Sequence, residues 1–356
     1  MKIITVIGAR PQFIKAAPIS RAIDRHADIQ EIVIHTGQHF DDNMSSVFFE
    51  EMDIRKPAYN LGINSLSHGA MTGLMLAKIE EILLIEKPDW MMVYGDTNST
   101  LAGALAAKKI HINVAHVESG LRSFNMRMPE EVNRVLTDRI SDLLFCPTPQ
   151  AVDNLLKEGY ANRSCHIVQT GDVMLDAARL FTPSAKKPPV DIPERFILCT
   201  FHRAENTDNP ETLSELIAGI DEIAQEVAVV CPLHPRTKAK LLDNGYDLTN
   251  SPILFIEPVG YLEMIWLLSH ASLVMTDSGG LQKEAYFFQK QCITLRNETE
   301  WVELVELGAN HLAGTNRAQI VDIYHDLLNP RPVDFSLPLY GDGNASEKIV
   351  QSMNYY

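Results

Sequence analysis

The sequence predicts an α/β protein made of two doubly wound, mostly parallel sheets. Three observations carry this. Short apolar runs alternate with helical stretches along most of the chain. The alternation lapses once, in the polar and Pro-rich passage containing Pro183, Lys186-Lys187, Pro188-Pro189 and Pro193, and then restarts. At 356 residues the chain is also about two domains long. Strand–helix alternation needs crossover helices, and these make neighbouring strands parallel.

Residues 3–7 read as the first strand. Gly8-Ala9-Arg10-Pro11-Gln12-Phe13-Ile14-Lys15 then turns into a helix running to about residue 25, and Pro11 suits a first helical turn. Arg10 and Lys15 stand where this loop and helix start could hold an anion. The segment is not Gly-x-Gly-x-x-Gly, and that fingerprint occurs nowhere in the chain, so dinucleotide binding has no support. Residues 29–36 form the second strand, ending in Gly37-Gln38-His39. A helix over 67–87 and Pro88 lead into the apolar strand Trp90–Tyr94, which ends in Gly95-Asp96-Thr97-Asn98, a turn followed by helix N-cap residues. An Ala/Leu-rich helix and a second short strand, Asn113–Val117, follow. Glu118-Ser119-Gly120-Leu121-Arg122 comes next, with Glu130-Glu131 one loop later.

Ligands of open α/β sheets bind outside the carboxyl ends of strands. Asp96 and Glu118 occupy two such ends on successive strands of one βαβ unit. Taken singly, Asp96 reads as a helix cap and Glu118 as a solvated acid. Two acids at equivalent strand ends, with an acidic pair nearby, point instead to acid/base chemistry.

After the Pro-rich passage come strands at Phe196–Thr200, 227–231, 253–256 and Leu273–Thr276. His202, Arg203, His234, Arg236 and Lys283 all fall just after strands. Ser278-Gly279-Gly280 offers backbone N–H groups at a helix start, a phosphate cradle, and Glu284 one turn on could accept hydrogen bonds from ribose hydroxyls. The SGG loop is a weak signal alone. With the His and Arg strand ends it makes a nucleotide diphosphate the leading ligand, expected in the cleft between two domains.

Composition narrows the function. Lys+Arg 31 against Asp+Glu 46 gives a formal charge of -15, which argues against nucleic-acid and anionic-membrane partners. The five cysteines lack zinc or redox spacing and read as reduced core residues of a cytoplasmic protein. The apolar start before Gly8 is too short for a signal-peptide core, and no stretch approaches a membrane span.

The motifs together resemble the non-hydrolysing UDP-N-acetylglucosamine 2-epimerase family over nearly the whole chain. The matching segments are GARP at 8–11 with Lys15, GDTNST at 95–100, HVESGLR at 116–122, PEEVNR at 129–134, FHRAEN at 201–206, TDSGGLQKEA at 276–285 and LRNETE at 295–300. The resemblance implies a GT-B-like fold of two Rossmann-like domains. Residues 1–170 with the returning C-terminal helix 345–356 would carry the catalytic acids, and 171–344 would bind UDP. It also implies a homodimer, a UDP-sugar substrate, no cofactor and no metal. The family eliminates UDP across C1–C2 to a 2-acetamidoglucal and adds it back after protonating the other face. By resemblance Asp96, Glu118, Glu130 and His202 are catalytic. Arg10, Lys15, Arg134, Arg203, His234, Ser278, Gly279, Gly280, Glu284 and Arg296 are substrate contacts.

Three departures mark a branch. The common Thr-Arg-Pro-Glu is here Ala9-Arg10-Pro11-Gln12. Residues 67–73 lack the Arg-Gln pair of regulated members, although Gln38 and His39 of that regulatory site are present. Thr299-Glu300 is followed by Trp301 rather than Arg-Pro-Glu. These variants resemble members acting on UDP-2,3-diacetamido-2,3-dideoxy-glucuronate. A GT-B glycosyltransferase, a hydrolysing epimerase and a non-catalytic UDP-sugar sensor are the competing readings.

Overall fold

A strand covered on both faces needs apolar side chains at every position, so it reads as an unbroken run rather than an alternation. WMMVY meets that requirement, KIITVI and FILCT meet it apart from Lys2, Thr5 and Thr200, and in the computed structural model the three strands lie at the centres of two parallel sheets. The structure describes residues 1–38 and 55–356. These divide into two compact units, Met1–Leu180 with Pro338–Tyr356, and Phe181–Leu337.

In the first unit the strands are β1 Lys2–Ile7, β2 Gln30–His35, β3 Tyr59–Asn60, β4 Trp90–Tyr94, β5 Asn113–Val117, β6 Leu143–Cys146 and β7 His166–Gln169. They pair in parallel in the order β3-β2-β1-β4-β5-β6-β7. The connecting helices are α1 Arg10–Ile23, α2 His68–Glu86, α3 Asn98–Lys109, α4 Pro129–Ile140, α5 Pro149–Lys157 and α6 Val173–Phe181. Chain order reverses between β1 and β4, so the loops after these strands diverge to opposite faces and leave a crevice at their carboxyl ends.

The second unit repeats the scheme with β8 Phe196–Thr200, β9 Ala228–Pro232, β10 Leu254–Ile256, β11 Leu273–Thr276, β12 Cys292–Thr294 and β13 Asn310–Leu312, in the order β10-β9-β8-β11-β12-β13. Its helices are α7 Ala204–Thr207, α8 Pro210–Ala224, α9 Pro235–Asp243, α10 Tyr261–His270, α11 Gly279–Phe287, α12 Val302–Glu306 and α13 Arg317–Asp326. Successive residues of β8 serve opposite layers, as the pleat requires. Ile197 and Cys199 pack with Leu216, Ile220 and Met275, while Phe196 and Leu198 pack with Leu268 and Val274. Here the order reverses between β8 and β11.

The last helix, α14 Ala345–Tyr355, belongs to the first unit. Buried Asp176 of α6 caps its start, accepting from the Ala345 N–H (3.1 Å), the Ser346 N–H (2.7 Å) and the Ser346 hydroxyl (2.7 Å). Arg25 and Glu347 form an ion pair beside it.

One buried acid lies away from the sheet ends. Glu31 of β2 is 3% exposed and accepts from the Thr5 hydroxyl at 2.6 Å. Burial raises its carboxyl above the usual glutamate range, outweighing that hydrogen bond. The folded state therefore keeps the proton to higher pH than the unfolded chain. Stability falls as pH rises past the ordinary glutamate value, until the folded-state carboxyl also ionises. Glu31→Gln keeps the shape and removes this loss. Its melting temperature relative to the parent should rise as pH climbs above the ordinary glutamate value, and a gap that narrows or reverses would refute the assignment.

Candidate active site

Each unit gathers its polar groups at its own sheet reversal. In the first, Gln12 ties the two central strand ends together from the third position of α1. Its Oε1 accepts from the Gly8 and Ala9 N–H groups (2.8 and 3.0 Å). Its Nε2 faces the Tyr94 carbonyl (2.8 Å) and the Thr97 and Thr100 hydroxyls (3.0 Å each). Arg10 opens that helix, and Lys15, one turn further, ion-pairs with Glu118.

Asp96 follows Gly95 at the end of β4. Gly95 has φ +61°, and a Cβ there would come within 3.3 Å of both the Glu118 carboxylate and the Lys15 ammonium. The Glu118–Lys15 pair thus packs against the residue preceding Asp96, which brings the two strand-end acids together. Glu118 itself holds φ +69°, a left-handed conformation costly to a side-chain-bearing residue, of the order of 1 kcal/mol or more. Asp96 is ion-paired with Arg134, and its carbonyl accepts from Asn133 Nδ2 (3.0 Å). Both partners come from α4.

The neighbouring acids of α4 differ. Glu131 is buried and accepts from the Ser123 N–H and hydroxyl (3.0 Å each), the Phe124 N–H (2.9 Å) and Arg134 (3.1 Å). Glu130 is exposed, and helical spacing puts it on the face of Asn133 and Arg134, the residues that hold Asp96. Gln38 accepts from the Ser99 N–H (3.0 Å) and hydroxyl (2.7 Å) at the start of α3. His39 lies outside the described residues.

The second unit's reversal is organised by Asp277, at the end of β11 and fully buried. Its Oδ2 accepts from the N–H groups of His202 and Arg203 (2.9 Å each) and from Asn206 Nδ2 (3.1 Å). Its Oδ1 lies 3.4 Å from His202 Nδ1, and the His202 side chain is half exposed. Asp277 thus holds the His202 backbone, and its charge stands beside the ring without a hydrogen bond to it.

Ser278 precedes α11, whose first residue, Gly279, packs against Glu300. A Cβ on Gly279 would overlap the Glu300 carboxylate, so a larger residue there would push Glu300 off its place beside Arg296. Burial pushes that carboxyl up, but the Arg296 charge at 2.9 Å and the Arg203 charge bring it below the usual range. Trp301 Nε1 donates to the Gly279 carbonyl (2.9 Å), and the buried Lys283 ammonium stands 4.2 Å from the Trp301 ring centroid. Gly280 is the second residue of α11, and Glu284 is buried one turn on. His234 caps α9, accepting from the Arg236 N–H (3.2 Å). Partial burial, then the His202 and Arg236 charges, lower its imidazole below the usual histidine range. Arg236 is paired with Asp208 at 2.7 Å.

Sequence reasoning passed over Gln12, Asn133, Asn206 and Asp277 as site residues. Asp277 carried the signal that selected Asp96 and Glu118, an acid at the carboxyl end of a strand.

Two doubly wound parallel units, one bringing paired carboxylates to its reversal and the other a histidine, arginines and a Gly-Gly helix start, define a GT-B-like enzyme architecture. The sequence profile of the UDP-N-acetylglucosamine 2-epimerase family matches residues 21–354. A Pseudomonas aeruginosa protein described as UDP-2,3-diacetamido-2,3-dideoxy-D-glucuronate 2-epimerase is 54% identical, over 99% of both chains. The UDP-GlcNAc 2-epimerase of Methanocaldococcus jannaschii, solved with UDP-GlcNAc and UDP, has a TM-score of 0.91 and 44% identity over 100% of both chains. The Neisseria meningitidis UDP-GlcNAc 2-epimerase bound to UDP-GlcNAc has a TM-score of 0.90 and 31% identity over 100% of both. The chain belongs to the UDP-N-acetylglucosamine 2-epimerase family. Among the described residues no helix is long and apolar enough to cross a membrane.

Removing the Asp277 carboxylate strands the N–H groups of His202 and Arg203 and leaves Asn206 Nδ2 with the Leu295 carbonyl alone. Asp277→Ala should lower the second unit's resistance to urea by about 2 kcal/mol, while Asp277→Ser, which keeps one acceptor, should lose less. Equal unfolding midpoints for parent and Asp277→Ala would contradict this role.

Proposed function

We propose that the protein epimerises C2 of a UDP-N-acetylhexosamine, of the UDP-GlcNAc to UDP-ManNAc type, without net hydrolysis. The C2 hydrogen is not adjacent to a carbonyl, so its direct removal would leave a poorly stabilised carbanion. Expelling UDP from C1 as the C2 proton leaves gives a neutral 2-acetamidoglucal. Protonation from the other face and re-addition of UDP then invert C2.

The observation that carries this reading is the pair of strand-end acids in the first unit, Glu118 matched to Lys15 and Asp96 to Arg134. Each carboxylate is held by a cation at its strand end, fixed in place as a proton-abstracting base must be. Glu130, on the helical face that carries Arg134, is the third acid. His202, its backbone held by Asp277, and Arg10 act on the departing diphosphate. Ser278, Gly279 and Gly280 offer it the start of α11. Arg203, His234 and Arg296 add positive charge, and Glu284 binds the ribose. The reaction feeds surface-polysaccharide synthesis in the cytoplasm.

A second reading of the sugar rests on the 54% identity to the Pseudomonas aeruginosa diacetamido-glucuronate enzyme. On it, the same chemistry runs on UDP-2,3-diacetamido-2,3-dideoxy-glucuronate. Incubating the parent with each UDP-sugar in heavy water should place deuterium at C2 with no added acceptor and no free hexosamine released, and the faster sugar identifies the substrate. Asp96→Asn, Glu118→Gln and His202→Ala should each slow exchange by about 100-fold or more. Absence of C2 deuterium from the parent with both sugars would dismiss the reaction.

A homodimer is part of the proposal. Helix α2 is apolar on most sides, and Leu74, Leu84 and Ile85 are 49%, 57% and 72% exposed. A helix of that kind calls for cover on its outer face, and a second copy would supply it. Leu74→Glu with Leu84→Glu should convert dimer to monomer in sedimentation. A parent that is already monomeric at micromolar concentration would remove the proposal.

A further inference from the structure

Beside the paired acids of the first unit lies a chain of charges, buried except at its Glu158 end, that the proposed reaction does not use. His116, on β5 two residues before Glu118, is fully buried. Its Nε2 is 2.7 Å from the Gly95 carbonyl, and its Nδ1 is 2.7 Å from Asp138 Oδ1 on α4. The second oxygen of Asp138 accepts from the Gly120 N–H (3.1 Å) and from Arg122 (2.7 Å). Arg122 continues to Glu158 through two further bonds, Nε to Oε1 at 2.7 Å and NH2 to Oε2 at 2.8 Å.

These contacts converge on the two functional turns. Gly95 immediately precedes Asp96, and Gly120 lies two residues after Glu118. One imidazole and one carboxylate therefore span from the turn bearing the first acid to the turn bearing the second. We propose that His116 and Asp138 are positioning residues, a clamp that fixes the spacing of Asp96 and Glu118. The inference rests on the epimerisation reading for what those acids do.

Hydrogen-bond accounting supports the clamp. A carbonyl oxygen and an ionised carboxylate only accept, so each ring nitrogen of His116 must carry a hydrogen for both contacts to form. Burial would push the Asp138 carboxyl up. The His116 hydrogen bond and the charges of His116 and Arg122 hold it below the usual range instead, as an anion. Glu118 adds a reason for such a device, since its left-handed backbone conformation is costly and persists where the surroundings over-determine it. A carboxylate displaced by about 1 Å from its working position loses on the order of 100-fold in rate.

Asp138→Asn keeps the shape of the side chain and removes the charge that both neighbours use. The expected result is a fall of about 100-fold in kcat for C2 exchange, with KM for the UDP-sugar and Kd for UDP nearly unchanged, because ground-state binding is untouched. A kcat equal to the parent's would overturn the proposal. So would a loss of UDP binding in proportion to kcat, which marks a general structural role.

The histidine ring gives a readout that needs no variant. In the 15N-histidine-labelled parent at neutral pH, both His116 ring nitrogens should show directly bonded protons, and a ring with one bare nitrogen would break the clamp. The two readings fail separately. A parent that leaves C2 unexchanged defeats the reaction, whereas an active parent with a fully active Asp138→Asn variant defeats the clamp.

Discussion

A parallel strand buried on both faces must deliver its chain to a helix on one side or the other. Where the side changes, the two loops leaving adjacent strands part, and the space between them is floored by free strand ends. The first sheet makes that change between β1 and β4, the second between β8 and β11. Glu118, at the end of the next strand, β5, reaches back to Lys15 of α1 and joins the first crevice. Functional groups stand at these ends because the sheet interior can hold little besides apolar side chains, and the loops there are free of that demand.

Electrostatics supply the second constraint. The chain carries a formal charge of -15, yet the acids at these crevices are matched individually. Glu118 has Lys15, Asp96 has Arg134, Glu300 has Arg296, and Asp277 is surrounded by N–H donors. A partly buried charge is costly to hold unless it is paired or hydrogen-bonded. The local pairing, rather than the overall charge, sets the chemistry available at each site.

Much of this was legible from residue patterns. Strands β4, β8 and β9, with four or more consecutive apolar residues, announced themselves, and the acids terminating β4 and β5 followed from strand-end logic. Strands β12 and β13, three residues each, are too short to show any period. Of the neighbours Glu130 and Glu131, only the rotation of α4 decides which one turns inward. The bonds from Asp277 to residues 202 and 203 join segments about 75 positions apart, and no local spacing foreshadows them. Gln12 read as a departure from a familiar motif. In the fold its amide serves both strand ends, donating and accepting at once.

The capping of α14 by Asp176 bears on how the polypeptide is assembled. The second unit is one continuous stretch, Phe181–Leu337, inserted between the two parts of the first. A ribosome therefore finishes the inserted unit before it makes Pro338–Tyr356. Until those residues emerge, Asp176 lacks the donors of Ala345 and Ser346, and α1 lacks the helix that packs against it. The half of the molecule synthesised first is completed last.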